Sequence, residues 1–140
     1  MTDAITLRIL TPERIVLDTS ASALRFPGVD GSIGVLPRHA TMVAALDAGE
    51  LSYRREGKDE SFFVSGGFAE VRENTVRIVT DACERPTDID VERAVKAGER
   101  ARERLRSGKL PDGQTALDAL RAEAALRRAL QRQLVARRRG

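Results

Sequence analysis

The sequence predicts a mainly β head followed by a two-helix tail, and three observations carry that reading. Up to about residue 83, apolar and polar side chains alternate with a period of two. Beyond Pro86 the apolar residues recur every three or four positions instead. Clusters of Gly, Asp, Asn and Pro divide the first region into short pieces and the second into two halves. A period of two puts alternate side chains on opposite faces of a strand, and a period near 3.6 puts them along one side of a helix. The head is therefore expected over residues 1–85 and the tail over residues 86–140.

In the first region Ile5, Leu7 and Ile9 alternate with Thr6, Arg8 and Leu10, and Val76 and Ile78 flank Arg77 in the same way. One face of such a strand enters a core while the other stays wet. Between the runs lie Val29-Asp30-Gly31, Glu56-Gly57-Lys58 and Glu73-Asn74. Asp30-Gly31 reads as a tight type I′ turn, which requires positive φ at both central residues. Gly66-Gly67, following Phe62-Phe63-Val64, marks a bend or a close approach of backbone. Many short strands with no helix between them point to a sandwich or a barrel.

After Pro86, Asp88 is the expected N-cap, with Asp90 and Glu92 placing negative charge in the first turn, where the helix dipole favours it. Ala94, Ala97, Gly98, Ala101 and Leu105 form a narrow stripe of mostly small residues, which a second helix can approach closely. Ser107 to Gly113 interrupts the pattern. Thr115 caps the next helix, which carries Leu117, Leu120, Leu126, Leu130 and Leu134 as its apolar positions. From Thr115 to Arg138 it would run roughly 36 Å at about 1.5 Å per residue. Two helices and a short loop make an αα-hairpin. Because alanine methyls bury little area, the hairpin is expected to hold weakly to the head and to be able to move.

Composition excludes several classes. Of 140 residues, 41% are hydrophobic, and no run approaches the ~20 apolar residues of a membrane-spanning helix. Residues 1–9 lack the apolar core of a signal peptide, so a soluble protein made where it works is expected. Cys83 is the one cysteine and His39 the one histidine. No disulfide, metal cluster or Ser-His-Asp constellation with a second imidazole can be assembled from them. Cys83 reads as a small buried residue at a strand end, and His39 as a loop residue tying down backbone near Pro37. Gly28, Gly31 and Gly34 do not make a phosphate loop, since Val35-Leu36-Pro37 follows and no helix opens there.

The net charge of +3 is unevenly spread. Residues 1–83 carry −3, residues 84–118 are neutral, and residues 119–140 carry +6. An acidic partner would be met at the last segment, through Arg121, Arg127, Arg128 and Arg132 with Arg137, Arg138 and Arg139. The alternatives are a solvated helix face and non-specific attraction to nucleic acid. Aromatic residues end at Phe68, so this tail has none for stacking on bases, and no nucleic-acid partner is expected.

The segment Phe26-Pro-Gly-Val-Asp-Gly-Ser-Ile-Gly-Val-Leu-Pro-Arg-His-Ala40 resembles the signature loop of F-type ATP synthase epsilon subunits. Gly49-Glu50-Leu51, Phe63-Val-Ser-Gly-Gly-Phe-Ala-Glu-Val71 and Asp88-Ile89-Asp90 resemble further family motifs, in the family's order. Arg38 stands where the family usually carries Gly, Thr41 where Pro is common, and Asp47-Ala48 where Pro often precedes Gly49. The resemblance covers nearly the whole chain and implies a ten-stranded β-sandwich followed by an antiparallel two-helix hairpin. It implies a non-catalytic rotor subunit of the central stalk, coupling ion flow to ATP synthesis by binding the gamma subunit and the c-ring. Its head contacts would include Asp30, Gly31 and His39, and its tail would inhibit hydrolysis by meeting the alpha and beta subunits. It implies a peripheral protein on the cytoplasmic face of the bacterial plasma membrane, held there only through the complex.

Ile89-Asp90-Val91-Glu92-Arg93-Ala94 also resembles the Ile/Leu-Asp-x-x-Arg-Ala motif of bacterial epsilon subunits whose folded hairpin binds ATP. Glu84 and Arg100 fall at matching offsets. Acidic groups can accept from an adenine amine or a ribose hydroxyl, and arginines can fork onto phosphate. No cofactor is required by this reading, and ATP would be a regulatory ligand. The alternative is an ordinary capped helix with surface charges.

Overall fold

The computed structural model describes residues 4–107 and 116–138. Ten strands come first: β1 (Ile5–Leu10), β2 (Ile15–Ala21), β3 (Ala23–Gly28), β4 (Gly31–Val35), β5 (Met42–Leu46), β6 (Gly49–Arg55), β7 (Lys58–Val64), β8 (Gly67–Arg72), β9 (Thr75–Val79) and β10 (Cys83–Glu84). A 3₁₀ turn over Pro86–Asp88 leads to α1 (Val91–Ser107), and α2 spans Ala116–Ala136. The chain divides into two compact units between Arg85 and Pro86.

The strands form two five-stranded layers, β4-β3-β6-β7-β10 and β5-β8-β9-β1-β2, joined where Gly28 of β3 pairs with Leu46 of β5. All pairings are antiparallel except β1 with β9. Alternation does what the sequence suggests: Ile5, Leu7, Ile9, Ala69, Val71, Val76 and Ile78 are buried in one cluster with Phe26, Leu51 and Phe62. Each fully buried side chain of this size contributes about 1.5–3 kcal/mol relative to exposure.

The turns fix the register. Glu56-Gly57 (φ 52° and 77°) and Glu73-Asn74 (φ 47° and 59°) have both central residues in the left-handed region, as a type I′ hairpin requires. The first hairpin differs from expectation. Its two loop residues are Val29 and Asp30, neither with positive φ, and Gly31 takes φ 129° as β4 begins. A β-branched valine strongly resists the left-handed region, so the conformational burden passes to the glycine. Gly66 and Gly67 both have positive φ, and a Cβ on Gly67 would lie 1.9 Å from the Val79 carbonyl oxygen. They supply both the bend and the close approach. Arg38, at the position where a glycine was expected, adopts φ 66°, and its N–H donates to Asn74 Oδ1 at 2.6 Å.

In the helical unit the cap is two residues later than expected. Asp88 lies in the 3₁₀ turn, and Asp90 Oδ1 accepts from the Arg93 N–H at 3.0 Å, opening α1. Thr115 and residues 108–113, expected as a cap and a loop, lie outside the described residues. The buried positions of α1 are Ala94, Gly98 and Ala101. Those of α2 are Ala122, Ala129, Val135 and Ala136, while Leu117, Leu120, Leu130 and Leu134 are exposed. The seam is thus mostly alanine, as the sequence suggests, and Leu117, Leu120, Leu130 and Leu134 lie outside it. A Cβ on Gly98 would sit 3.4 Å from Ala129 Cβ and 3.9 Å from Leu126 Cδ1, so the two helices pass closely at Gly98, with Leu126 packed beside the seam.

Gly67→Ala is expected to destabilise the head by at least about 3 kcal/mol, because positive φ and a backbone clash act together. Urea unfolding of the full chain followed by far-UV circular dichroism measures it.

Candidate subunit-binding surfaces

The outer face of the β5-β8-β9-β1-β2 layer is built by the strand pairings in rows. Ala45 pairs with Phe68, Phe68 with Val79, Val79 with Leu10, and Leu10 with Ile15. This single apolar row crosses all five strands. Phe68 is 47% exposed and Ile15 59% exposed. The next row is Val43, Glu70, Arg77, Arg8 and Asp18, with Val43 69% exposed and Arg8 Nε 3.5 Å from Asp18 Oδ2. The row after that holds Arg72, Thr75, Thr6 and Ser20. The face is therefore apolar along one rim, charged with both signs in the middle, and polar beyond. Isolated exposed apolar residues need no explanation, but a contiguous row framed by charges is the form of a protein-binding surface.

Sequence reasoning missed this row. Its signal was present in the phase of β8: Ala69 and Val71 face the core, so Phe68, one residue out of step, has to face outward.

The head residues proposed for subunit contact do not come together. Asp30 and Gly31 lie at the tip of the β3–β4 hairpin, beside the end of β5, where the Val29 N–H donates to the Ala45 carbonyl. His39 lies in the loop at the other end of β4, and its Nδ1 is 2.8 Å from the Ala40 carbonyl oxygen. The ring holds the Ala40 carbonyl rather than backbone near Pro37. Asp30 thus shares an end of the head with the apolar row, and His39 does not.

The tail arginines also separate. Arg121, Arg128 and Arg132 fall on one side of α2, whereas Arg127 is turned about 120° away at roughly 100° per residue. Arg128 and Arg132 are half-buried beside the alanine seam, and Arg121 pairs with Asp118 at 3.3 Å. Arg127 shares its strip with the exposed Leu120 and Leu134.

Of the nucleotide-motif residues, Ile89 and Ala94 are buried, and Asp90 has one carboxylate oxygen committed to the helix cap. Arg93 and Arg100 are exposed on the same side of α1, about two turns apart at 3.6 residues per turn. Glu84 is half-buried in β10, within the head unit. Ile89 and Ala94 therefore act by packing, which leaves Arg93 and Arg100 as the groups in this set that present cations to solvent.

Among the described residues no group of three or more His, Cys, Asp or Glu is placed to hold a metal. Burial pushes the Cys83 thiol up to about 12, which keeps it protonated and unreactive at neutral pH.

Residues 4–86 match the family model for the β-sandwich domain of the ATP synthase delta/epsilon chain, and residues 87–136 match the model for its long α-helix domain. The chain belongs to the ATP synthase delta/epsilon family. Its relatives include the ATP synthase epsilon chain of Carboxydothermus hydrogenoformans, 50% identical over 105 residues, covering 75% of this chain and 78% of that one. The epsilon chain of Nitratidesulfovibrio vulgaris is 43% identical over 135 residues, covering 96% and 97%. Epsilon chains are accessory subunits of ATP synthase and are not catalytic alone.

Solved structures extend the likeness to three dimensions. A chain in the cryo-EM structure of the Euglena gracilis mitochondrial ATP synthase, containing OSCP, F1 and the c-ring, superposes with a TM-score of 0.78 at 29% identity. It covers 96% of this chain, which in turn spans 81% of that one. A chain of the Tetrahymena thermophila central stalk and c-ring shares the fold, with a TM-score of 0.69 at 16% identity over 97% of each. Within the delta/epsilon family, then, the surfaces above are those of an accessory subunit, whose work is to touch other chains.

Proposed function

We propose that this chain is a rotor subunit of the central stalk of a bacterial F-type ATP synthase, with a head that binds the gamma subunit and rests on the c-ring. The observation that carries this reading is the apolar row Ala45-Phe68-Val79-Leu10-Ile15. A helix or strand of gamma laid along it would bury its side chains together, and the charged row beside it would set the register of docking. The close-packed sandwich beneath is suited to passing on torque, because such interiors deform little. Asp30 and Gly31 lie at the same end as the row, together with Glu13, Asp47 and Asp81 on neighbouring connections. That end is the part of the head we assign to the polar loops of the c-ring.

The tail is assigned the inhibitory role. Arg121, Arg127, Arg128 and Arg132 would meet acidic segments of the alpha and beta subunits, and Leu120 and Leu134 would add apolar contact beside Arg127. ATP is assigned to the helical unit as a regulatory ligand, with Arg93 and Arg100 taking its phosphates. No described helix is long and apolar enough to cross a membrane. The chain would lie peripherally at the cytoplasmic face of the plasma membrane, through its partners.

Phe68→Glu is expected to weaken co-purification with gamma about tenfold or more, while the melting temperature of the head stays within a few degrees of the parent. Unchanged recovery of gamma would remove the row from the interface. Deleting residues 107–140 is expected to raise ATP hydrolysis by the reconstituted complex several-fold, and an unchanged rate would end the inhibitory assignment. Arg93→Ala should lower ATP affinity about tenfold by titration calorimetry; no heat from the parent chain with millimolar ATP would dispose of the nucleotide site.

A further inference from the structure

The last residue of the head is held by an arrangement that the accessory role has not yet used. The chain leaves the sandwich through the edge strand β10, only two residues long, in which Cys83 pairs with Val64 and Glu84 with Phe63 of β7. Just before it, the Ser65 N–H donates to the Ala82 carbonyl at 3.1 Å, and the Ala82 N–H donates to Ser65 Oγ at 2.9 Å. Just after it, the Arg85 guanidinium carbon lies 4.9 Å from the centroid of the Phe62 ring. Phe62 is buried in the core, and Tyr53 stacks on it with centroids 6.3 Å apart and planes 15° apart. Arg85 is thus parked on an aromatic platform that is itself immobilised.

Two residues of edge pairing hold little by themselves, since short isolated strand pairs are marginal in water. A cation over a buried ring adds an attraction that solvent screens less than it would on an exposed one. The next residue is Pro86, which has no N–H and so cannot extend the ladder, and which biases Arg85 toward the extended backbone of a strand. The two compact units meet at that peptide bond.

We infer that Arg85 is a positioning residue, a clamp that keeps β10 on the head and places the pivot of any tail rearrangement at residues 86–90. This rests on the reading that the tail changes position in the complex. It adds that β10 does not travel with the tail: the moving part begins after Arg85, and loosening Arg85 lengthens the free connection by the residues of β10.

Hydrogen exchange with mass spectrometry on the full chain, free and in the assembled synthase, tests this with Arg85→Ala and Arg85→Lys. Arg85→Ala is expected to speed exchange of the Ala82–Arg85 segment about tenfold, while Val76–Val79 stays protected; Arg85→Lys, which keeps a cation for the ring, should stay within about twofold of the parent. Hydrolysis by the assembled complex should shift with Arg85→Ala and not with Arg85→Lys, a readout that loss of packing alone would not divide in this way. Should Arg85→Ala also expose Val76–Val79, Phe62→Leu removes the platform while keeping the core apolar, and it should loosen Ala82–Arg85 alone. Unchanged exchange in Ala82–Arg85, or equal effects of alanine and lysine, overturns the clamp. Because the free chain reports on the clamp, its failure is separable from a failure of the chain to join the central stalk.

Discussion

The register of β8 against β9 and β5 is the constraint on which the rest of the head depends. Strand side chains alternate strictly, so a slip of one residue would send Val71 and Ala69 outward and Phe68 into the core. Three devices prevent it. The Glu73-Asn74 turn admits one hairpin register, Gly67 lets its backbone meet the Val79 carbonyl where any side chain would collide, and Gly66 turns the chain before β8 starts. With that register set, Ala45, Phe68 and Val79 share the outer face, and the pairing of β1 with β9 and, through the irregularity at Leu10, with β2 completes the row. The surface assigned to partner binding is thus a by-product of how the core is phased.

Much of this was legible in the sequence, and the failures have physical causes. The strand-to-helix switch and the positions of the turns at Glu56-Gly57 and Glu73-Asn74 followed from periodicity and turn chemistry, which are local; the type I′ form of those two turns is seen only in the structure. Asp30-Gly31 misled because the dipeptide pattern ignores its neighbour: with Val29 in the loop, the turn forms one residue earlier. Asp88 and Asp90 are both capable caps two residues apart, and the choice falls to Asp90 once Pro86 nucleates a 3₁₀ turn. Periodicity marked the leucines of α2 as its apolar positions but did not decide which of them face α1. The seam between α1 and α2 is decided by how closely two backbones can pass, which favours alanine at its centre, with Leu126 beside it and Leu117, Leu120, Leu130 and Leu134 exposed. The separation of Asp30 from His39 needed the topology, since nine positions of sequence include an entire strand.

The helical unit carries its charge in an uneven way. Arg128 and Arg132, nearest the seam, are half-buried, and an arginine can bury its aliphatic stem while its charged head stays in water. Arg127 keeps company with exposed leucines. A partner meeting α2 on that side would encounter apolar surface with a cation set in it, and so would be chosen by shape as well as by charge. This distinguishes it from a simple polybasic tail, whose attraction falls steeply with salt.

The bond from Arg38 to Asn74 ties the loop between β4 and β5 to the β8–β9 turn. A left-handed arginine is uphill, and the amide of Asn74 repays part of that by accepting its N–H at 2.6 Å. Substitutions at residue 74 are therefore not neutral with respect to residue 38. The donor is the backbone N–H of residue 38, so the bond depends on the acceptor at Asn74 rather than on the arginine side chain, and Asn74 is held besides by its own φ of 59° in the turn. Loss of the Asn74 amide would leave the left-handed residue 38 without that bond, which loosens the approach to β5 from the far side of the head.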